Sequence, residues 1–199
     1  KVLLIYPNYP IPLDVKGFSV PLGILHLGTF LRSKGYEPKL IDTTIEQDYY
    51  ELIQKNLSDA LCVGISANTS QMPHALDIAA RIKKYNKDMP IILGGVHVTL
   101  FPNQTLKHDL FDYVVMREGE LPLLNLLNVI YEGAYNRLQE INGIGYKETS
   151  GDIRITTPDE RFDFSNLPPI DYSLLNPIVL ETYKVTDRLY FPLQTARGC

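Results

Sequence analysis

Five short stretches carry residue types that can do chemistry. Ser66-Ala67-Asn68-Thr69-Ser70 supplies small hydroxyl and amide groups; such residues cap a following helix and also let a polar ligand approach backbone amides closely. Gly94-Gly95 offers backbone with no Cβ, where a bulky group can lie against the chain; as structure alone it is a tight turn. His97 follows at a helix start, where a neutral imidazole is favoured and can donate to a tail or phosphate, or simply bond nearby backbone. Glu118 and Glu120 flank Gly119 at a loop-to-helix junction. Their spacing suits capping and dipole compensation better than paired acid–base work. The fifth is Thr195-Ala196-Arg197-Gly198-Cys199. Cys62 lies in the apolar run Leu61-Cys62-Val63-Gly64-Ile65, a place for a buried inert thiol, and a disulfide to Cys199 does not fit a reducing compartment. Cys199 is left with no structural task.

These stretches need a scaffold, and the pattern predicts one. Residues 2–6, 37–41, 60–65, 91–93 and 113–116 read as short strands, mostly apolar on both faces, as in a parallel sheet covered on both sides. Helical patterns lie between and after them: from Pro21, a favoured first helical residue, to Lys34; over 45–56; at Met72, Ala75, Leu76, Ala79 and Ile82; over 99–108; and over 120–131. Right-handed crossovers then give a doubly wound, mostly parallel five-stranded α/β sheet, flavodoxin-like, in the order 2-1-3-4-5. Ligands bind at the carboxyl ends of such strands, so the loops after Tyr6, Ile65, Leu93 and Met116 are the places to look. Beyond Gly133 the texture changes. Residues 143–147 and 153–156 read as a hairpin, and 159–177 as a Pro- and Asp-rich linker leading to a strand at 189–191. The predicted division is 1–133, 134–158 and 159–199.

Composition narrows the classes. The net charge of −4 and the lack of a dense basic run argue against nucleic acid as main partner. No apolar run approaches the roughly 20 residues of a membrane helix. The opening Lys1-Val2-Leu3-Leu4-Ile5 reaches Pro7 too soon for a signal peptide, so a cytoplasmic location is expected. The chain opens without Met, and residues upstream of it are expected. The loop 7–18 contains neither G-x-G-x-x-G nor G-K-[ST], which removes the usual signature of dinucleotide or nucleoside-triphosphate binding.

As an ordered set the motifs resemble a known family. Val20-Pro21-Leu22-Gly23, Leu40-Ile41-Asp42, Ser66-x-Asn68, Gly94-Gly95-Val96-His97-Val98-Thr99 and Arg117-Glu118-Gly119-Glu120 are similar to the N-terminal cobalamin-binding domain of cobalamin-dependent radical S-adenosylmethionine enzymes. The resemblance implies a slot for the cofactor's nucleotide tail, with the corrin across the strand ends. It implies cofactor contacts from Asn8, Tyr9, Asp42, Ser66, Asn68, Thr69, Gly94, Gly95, His97, Glu118, Gly119 and Glu120. Thr-Ala-Arg-Gly-Cys resembles the opening of the family's C-x3-C-x2-C motif, so Cys199 is implied as the first ligand of a 4Fe–4S cluster that cleaves S-adenosylmethionine. The intact enzyme would then perform methyl transfer or oxidative cyclisation, and this chain, ending at that cysteine, would not turn over. One departure stands out: many cobalamin domains carry D-x-H-x-x-G after the first strand, and here Asp14 and Gly17 have no histidine between them. Base-off cobalamin without histidine ligation is implied. His26 falls mid-helix as a packed residue, and His74 and His108 read as solvated. Two other readings stand beside this one: a degenerate scaffold that no longer binds cobalamin, and a free-standing enzyme of the same fold using a flavin.

Overall fold

A computed structural model describes residues 1–9, 20–159, 163–182, 184, 185, 188, 189, 192 and 194. Strands β1 (Val2–Tyr6), β2 (Pro38–Asp42), β3 (Cys62–Ser66), β4 (Ile91–Gly94) and β5 (Tyr113–Val115) are parallel, in the order β2-β1-β3-β4-β5. Their apolar character has a direct cause, since both faces are covered. On one face, Val2, Leu4, Cys62, Ile92 and Val115 pack against α1 (Leu22–Ser33) and α6 (Glu120–Glu132). On the other, Leu3, Ile5, Val63, Ile65 and Leu93 pack against α2 (Tyr49–Leu57), α3 (Met72–Tyr85) and the short helices α4 (Val96–Leu100) and α5 (Pro102–Leu106).

Three expectations are corrected. Pro21 precedes α1 at its cap position instead of opening it. The helix expected over 99–108 is two single turns. Phe101 adopts φ −132°, ψ 50°, because Pro102 excludes its predecessor from helical geometry. The hairpin, expected as an extension, joins the sheet itself: β6 (Ile144–Lys147) pairs antiparallel with β5, and β7 (Ile153–Ile155) with β6, making seven strands. It covers an edge that β5 would otherwise present to solvent. Gly145 allows this approach, because a Cβ there would lie 2.5 Å from Ile155 Cδ1 and 2.8 Å from Val114 Cγ2.

The segment expected as linker packs down in part. Residues 170–176 cross α1, with Leu174 and Leu175 buried, and Leu174 Cδ1 lies 3.2 Å from where a Cβ on Gly28 would be. Thr29 Oγ1 accepts from the Asp171 N–H at 3.0 Å, Arg32 pairs with Asp171 at 2.6 Å, and Asn176 donates to Glu46 at 2.7 Å. Both partners of the Arg32–Asp171 pair are partly exposed, so the pair contributes at most about 1 kcal/mol. The leucines dominate. Beyond them come α7 (Pro177–Thr182) and a two-residue ribbon, β8 (Lys184–Val185) with β9 (Arg188–Leu189). Tyr190, Phe191 and Cys199 lie outside the described residues. Among those described, no helix is long and apolar enough to cross a membrane.

Leu174→Ala should destabilise the chain by about 2–4 kcal/mol in denaturant unfolding, whereas Arg32→Ala should cost under about 1 kcal/mol. Equal small losses would mean that the crossing segment is not docked.

Candidate functional site

Alternation along the strands decides what lies between the sheet and α1/α6. On that face β3 presents Cys62, Gly64 and Ser66, and β4 presents Ile92 and Gly94. Near the amino ends the side chains are bulky enough to fill the layer. Toward the carboxyl ends they shrink to Gly64, Ser66 and Gly94, and Ser66 stands directly opposite Gly94 in the ladder. The result is a cavity of about 520 Å³, within the range of roughly 300–1,000 Å³ usual for small-molecule sites. Its far wall is Leu22, Gly23 and Leu27 of α1 with Leu123 of α6, and its polar rim is Arg117, Glu118 and Glu120.

The two adjoining glycines do different work. Gly95 has φ +93°, and a Cβ on it would meet Ala67 O at 2.6 Å and Ala67 N at 2.9 Å; the turn itself requires glycine. His97 N–H donates to that same Ala67 carbonyl at 3.3 Å. Gly94 has ordinary strand geometry, and a Cβ there would find nothing closer than Val115 O at 3.8 Å. It lines the cavity, so a side chain at 94 takes up space in the cavity.

Of the residues singled out in the sequence, Ser66, Gly94, Gly95, Glu118, Gly119 and Glu120 converge on the cavity wall. Glu120 is 1% exposed at the first residue of α6. The others are not part of that wall. Asn68 caps the turn that opens α3: its Oδ1 accepts from Ser70 N–H (3.0 Å) and Gln71 N–H (3.2 Å), and its own N–H donates to Gln71 Oε1 (3.0 Å). Its amide nitrogen also donates to the Tyr9 hydroxyl at 3.4 Å, which lies 3.2 Å from the Tyr6 hydroxyl. Thr69 Oγ1 and His97 Nδ1 share a hydrogen bond of 3.1 Å, and burial holds the imidazole below its usual pKa, favouring the neutral ring. The helix carrying His97 is a single turn, so its neutrality comes from burial and not from a helix end.

His74 corrects the expectation of a solvated residue. It is half-buried; Asn8 N–H donates to its Nδ1 at 2.8 Å, and its Nε2 lies 2.9 Å from the Tyr49 hydroxyl. Burial lowers its pKa as well. Gln71, 1% exposed, adds a second tie to the first loop by donating to Pro7 O at 2.6 Å. Asn8, Tyr9, Asn68, Thr69 and His97 thus belong to a hydrogen-bonded rim around the strand ends. Asp42, 3% exposed, accepts from Thr44 N–H and Oγ1 through Oδ1, while Oδ2 is buried with no hydrogen-bond partner among the described residues. Burial raises its pKa, and the Thr44 bonds offset this only in part. Cys62 is fully buried and its thiol is pushed up to about 12, so it is inert.

Gly64, Arg117 and Gln194 are among the lining residues that the sequence reading did not assign to the site. Gly64 had a readable signal, a glycine inside a strand, which marks a close approach on that face. Arg117 lay within a quoted motif without receiving a role. Gln194 reaches the cavity from outside the first 133 residues, and no local pattern announces it.

The B12 binding domain family model matches residues 11–127. The chain is 31% identical over its whole length to an uncharacterized methyltransferase of Pyrococcus horikoshii, covering 43% of that protein. It is 28% identical, again over its whole length, to the anaerobic magnesium-protoporphyrin IX monomethyl ester cyclase of Rubrivivax gelatinosus, covering 37% of it. The chain therefore spans about two-fifths of the length of these curated relatives. In fold it is similar to the radical S-adenosylmethionine methyltransferase TsrM from Kitasatospora setae, solved with cobalamin and a 4Fe–4S cluster bound. The TM-score is 0.65 at 22% identity, over 84% of this chain and 30% of that one.

Gly95→Ala should lose roughly 1–3 kcal/mol of stability, and Gly94→Ala should stay within about 0.5 kcal/mol of the unmutated chain by thermal unfolding. Similar losses at both positions would refute the division of labour. Asp42 gives a pH signature. With its folded pKa raised, the folded state holds a proton that the unfolded chain releases, so stability falls as pH rises from the ordinary carboxylate range through the raised value. Asp42→Asn should flatten that part of the stability–pH curve, and an unchanged slope would contradict the assignment. Small residues at the carboxyl ends of a doubly wound sheet, a double-glycine turn and the turn from Arg117 to Glu120 meet at one cavity, and the chain belongs to the B12 binding domain family.

Proposed function

We propose that this chain is the cobalamin-binding module of a radical S-adenosylmethionine enzyme that performs methyl transfer or oxidative ring closure. The observation that carries the reading is the cavity made by Gly64, Ser66 and Gly94, which a single Cβ at position 94 would begin to fill. A flat base with its ribose suits such a space: Leu22, Leu27 and Leu123 supply apolar cover, and the Ser66 hydroxyl is available to a ring nitrogen. The glutamates at 118 and 120 then flank the sugar end, and the macrocycle lies over the carboxyl ends, against the rim of Asn8, Tyr9, Asn68 and Thr69. His97 acts by holding Thr69, and Asp42 by fixing the end of β2 beside Tyr6.

The loop 7–18 contains no histidine, so a bound cobalamin would have no histidine ligand from that loop, and the likeness to the radical enzymes supports a base-off form. Cobalamin supplies an exchangeable carbon–cobalt bond, and the protein contributes binding, orientation and exclusion of water. Residues 1–133, with the hairpin that completes their sheet and the segment 170–176 packed on α1, form the binding unit, and the chain beyond leads to a radical domain in which Cys199 would be a cluster ligand and S-adenosylmethionine would bind. The free Cys62 thiol suits a reducing, cytoplasmic setting.

Anaerobic titration with hydroxocobalamin should give a bound corrinoid with a base-off spectrum. Gly94→Leu should remain folded by circular dichroism and lose that binding. No binding by the unmutated chain at tens of micromolar would favour a degenerate scaffold, and undiminished binding by Gly94→Leu would move the ligand out of the slot.

A further inference from the structure

Arg117 stands apart from the other arginines whose side chains are described. Arg32, Arg81, Arg137 and Arg154 each pair with a carboxylate. Arg117 is exposed and lines the slot, and its guanidinium has no hydrogen bond or ion pair among the described residues. It is also the one non-glycine residue, among those described, in the left-handed region, with φ 55°. An L-residue is held there only where its surroundings over-determine the turn, and such outliers gather at ligand sites.

Those surroundings are visible. Arg117 N–H donates to Thr99 Oγ1 at 2.9 Å, and Thr99 Oγ1 donates to the Gly95 carbonyl at 3.3 Å. One hydroxyl therefore ties the turn after β5 to the double-glycine turn after β4, and sets Arg117 on the rim that both turns form. The same rim carries Glu118 and Glu120. Among the described residues, Arg117 is the one cationic side chain that lines the slot.

We propose that Arg117 is the anion contact of the slot, its guanidinium meeting the phosphodiester that links a corrinoid's nucleotide tail to its ring, with Thr99 as the positioning residue. This rests on the cobalamin reading above. A guanidinium recognises a phosphodiester by paired, charge-assisted hydrogen bonds.

Cobinamide provides the test, since it keeps the corrin ring but lacks the phosphate, ribose and base. Absorbance titrations of the unmutated chain and of Arg117→Gln with hydroxocobalamin and with cobinamide separate the two parts of the ligand. Arg117→Gln should weaken cobalamin binding roughly five- to tenfold, a loss tempered by the exposure of the site, and leave cobinamide binding unchanged. Cobalamin affinity should fall with added salt in the unmutated chain and fall less in the variant. Arg117→Gly, which relieves the left-handed backbone, should melt no lower than the unmutated chain and show the same selective loss. Thr99→Val should give a weaker form of that loss, and Thr99→Ser should restore binding. Equal losses for both ligands, or an unchanged cobalamin affinity in Arg117→Gln, would overturn the contact while leaving the cofactor reading intact. Failure of the unmutated chain to bind either corrinoid would overturn both.

Discussion

The structure depends on one packing constraint: a parallel sheet buried on both faces must be matched, position by position, by the helices above it. Where β3 and β4 present Gly64, Ser66 and Gly94, the match fails on the α1/α6 side, and the layer opens into a slot. Branched side chains at those three positions would close the core. Instead Leu22, Leu27 and Leu123 face space, and a ligand that buries them gains about 25 cal/mol per Å² of apolar surface removed from water. The neighbouring features serve the opening. Gly23 thins the first turn of α1, Gly95 reverses the chain against Ala67, and the turn through Arg117 brings the start of α6 to the rim.

Around the opening lies a polar collar with a different task. Gln71 holds the Pro7 carbonyl, His74 holds Asn8 and Tyr49, and Asn68 ties its own turn to Tyr9. Each bond is worth about 1 kcal/mol net, so the collar adds modest stability and fixes geometry instead. The neutral imidazoles of His74 and His97 suit this work, because a neutral ring accepts at one nitrogen and donates at the other. The leucines of residues 174 and 175 bind the segment 170–176 to the domain beside α1, and Gln194 lines the slot.

Much of this was legible in the residues. The five parallel strands could be read because each is a short apolar run followed by a helical pattern, and β-α order constrains the topology strongly. Ser66, Gly94 and Glu118–Glu120 could be read as a group because loops at the carboxyl ends share one edge of the sheet. What escaped depends on tertiary pairing. No local pattern says that 144–147 will pair with β5, since an edge strand is satisfied by whatever reaches it. Pro102 was seen, but its effect falls on Phe101, whose backbone it excludes from the helix. His74 looked solvated because its partners, Asn8 and Tyr49, lie 66 and 25 residues away in sequence. The collar residues and the slot residues sit in the same loops, so sequence merged two structures that the fold separates.

The central claim is that the slot under α1 and α6, and not another surface, receives the ligand. The molecule supplies its own control, a second cavity of about 390 Å³ between α2 and α3 on the far side of the sheet, lined by Tyr50, Ile53 and Arg81. Amide hydrogen exchange with and without hydroxocobalamin tests the claim most directly. The account predicts protection in peptides covering 64–69, 94–99 and 117–123, with those covering 50–57 and 78–85 unchanged. Protection confined to the α2–α3 groove would contradict it.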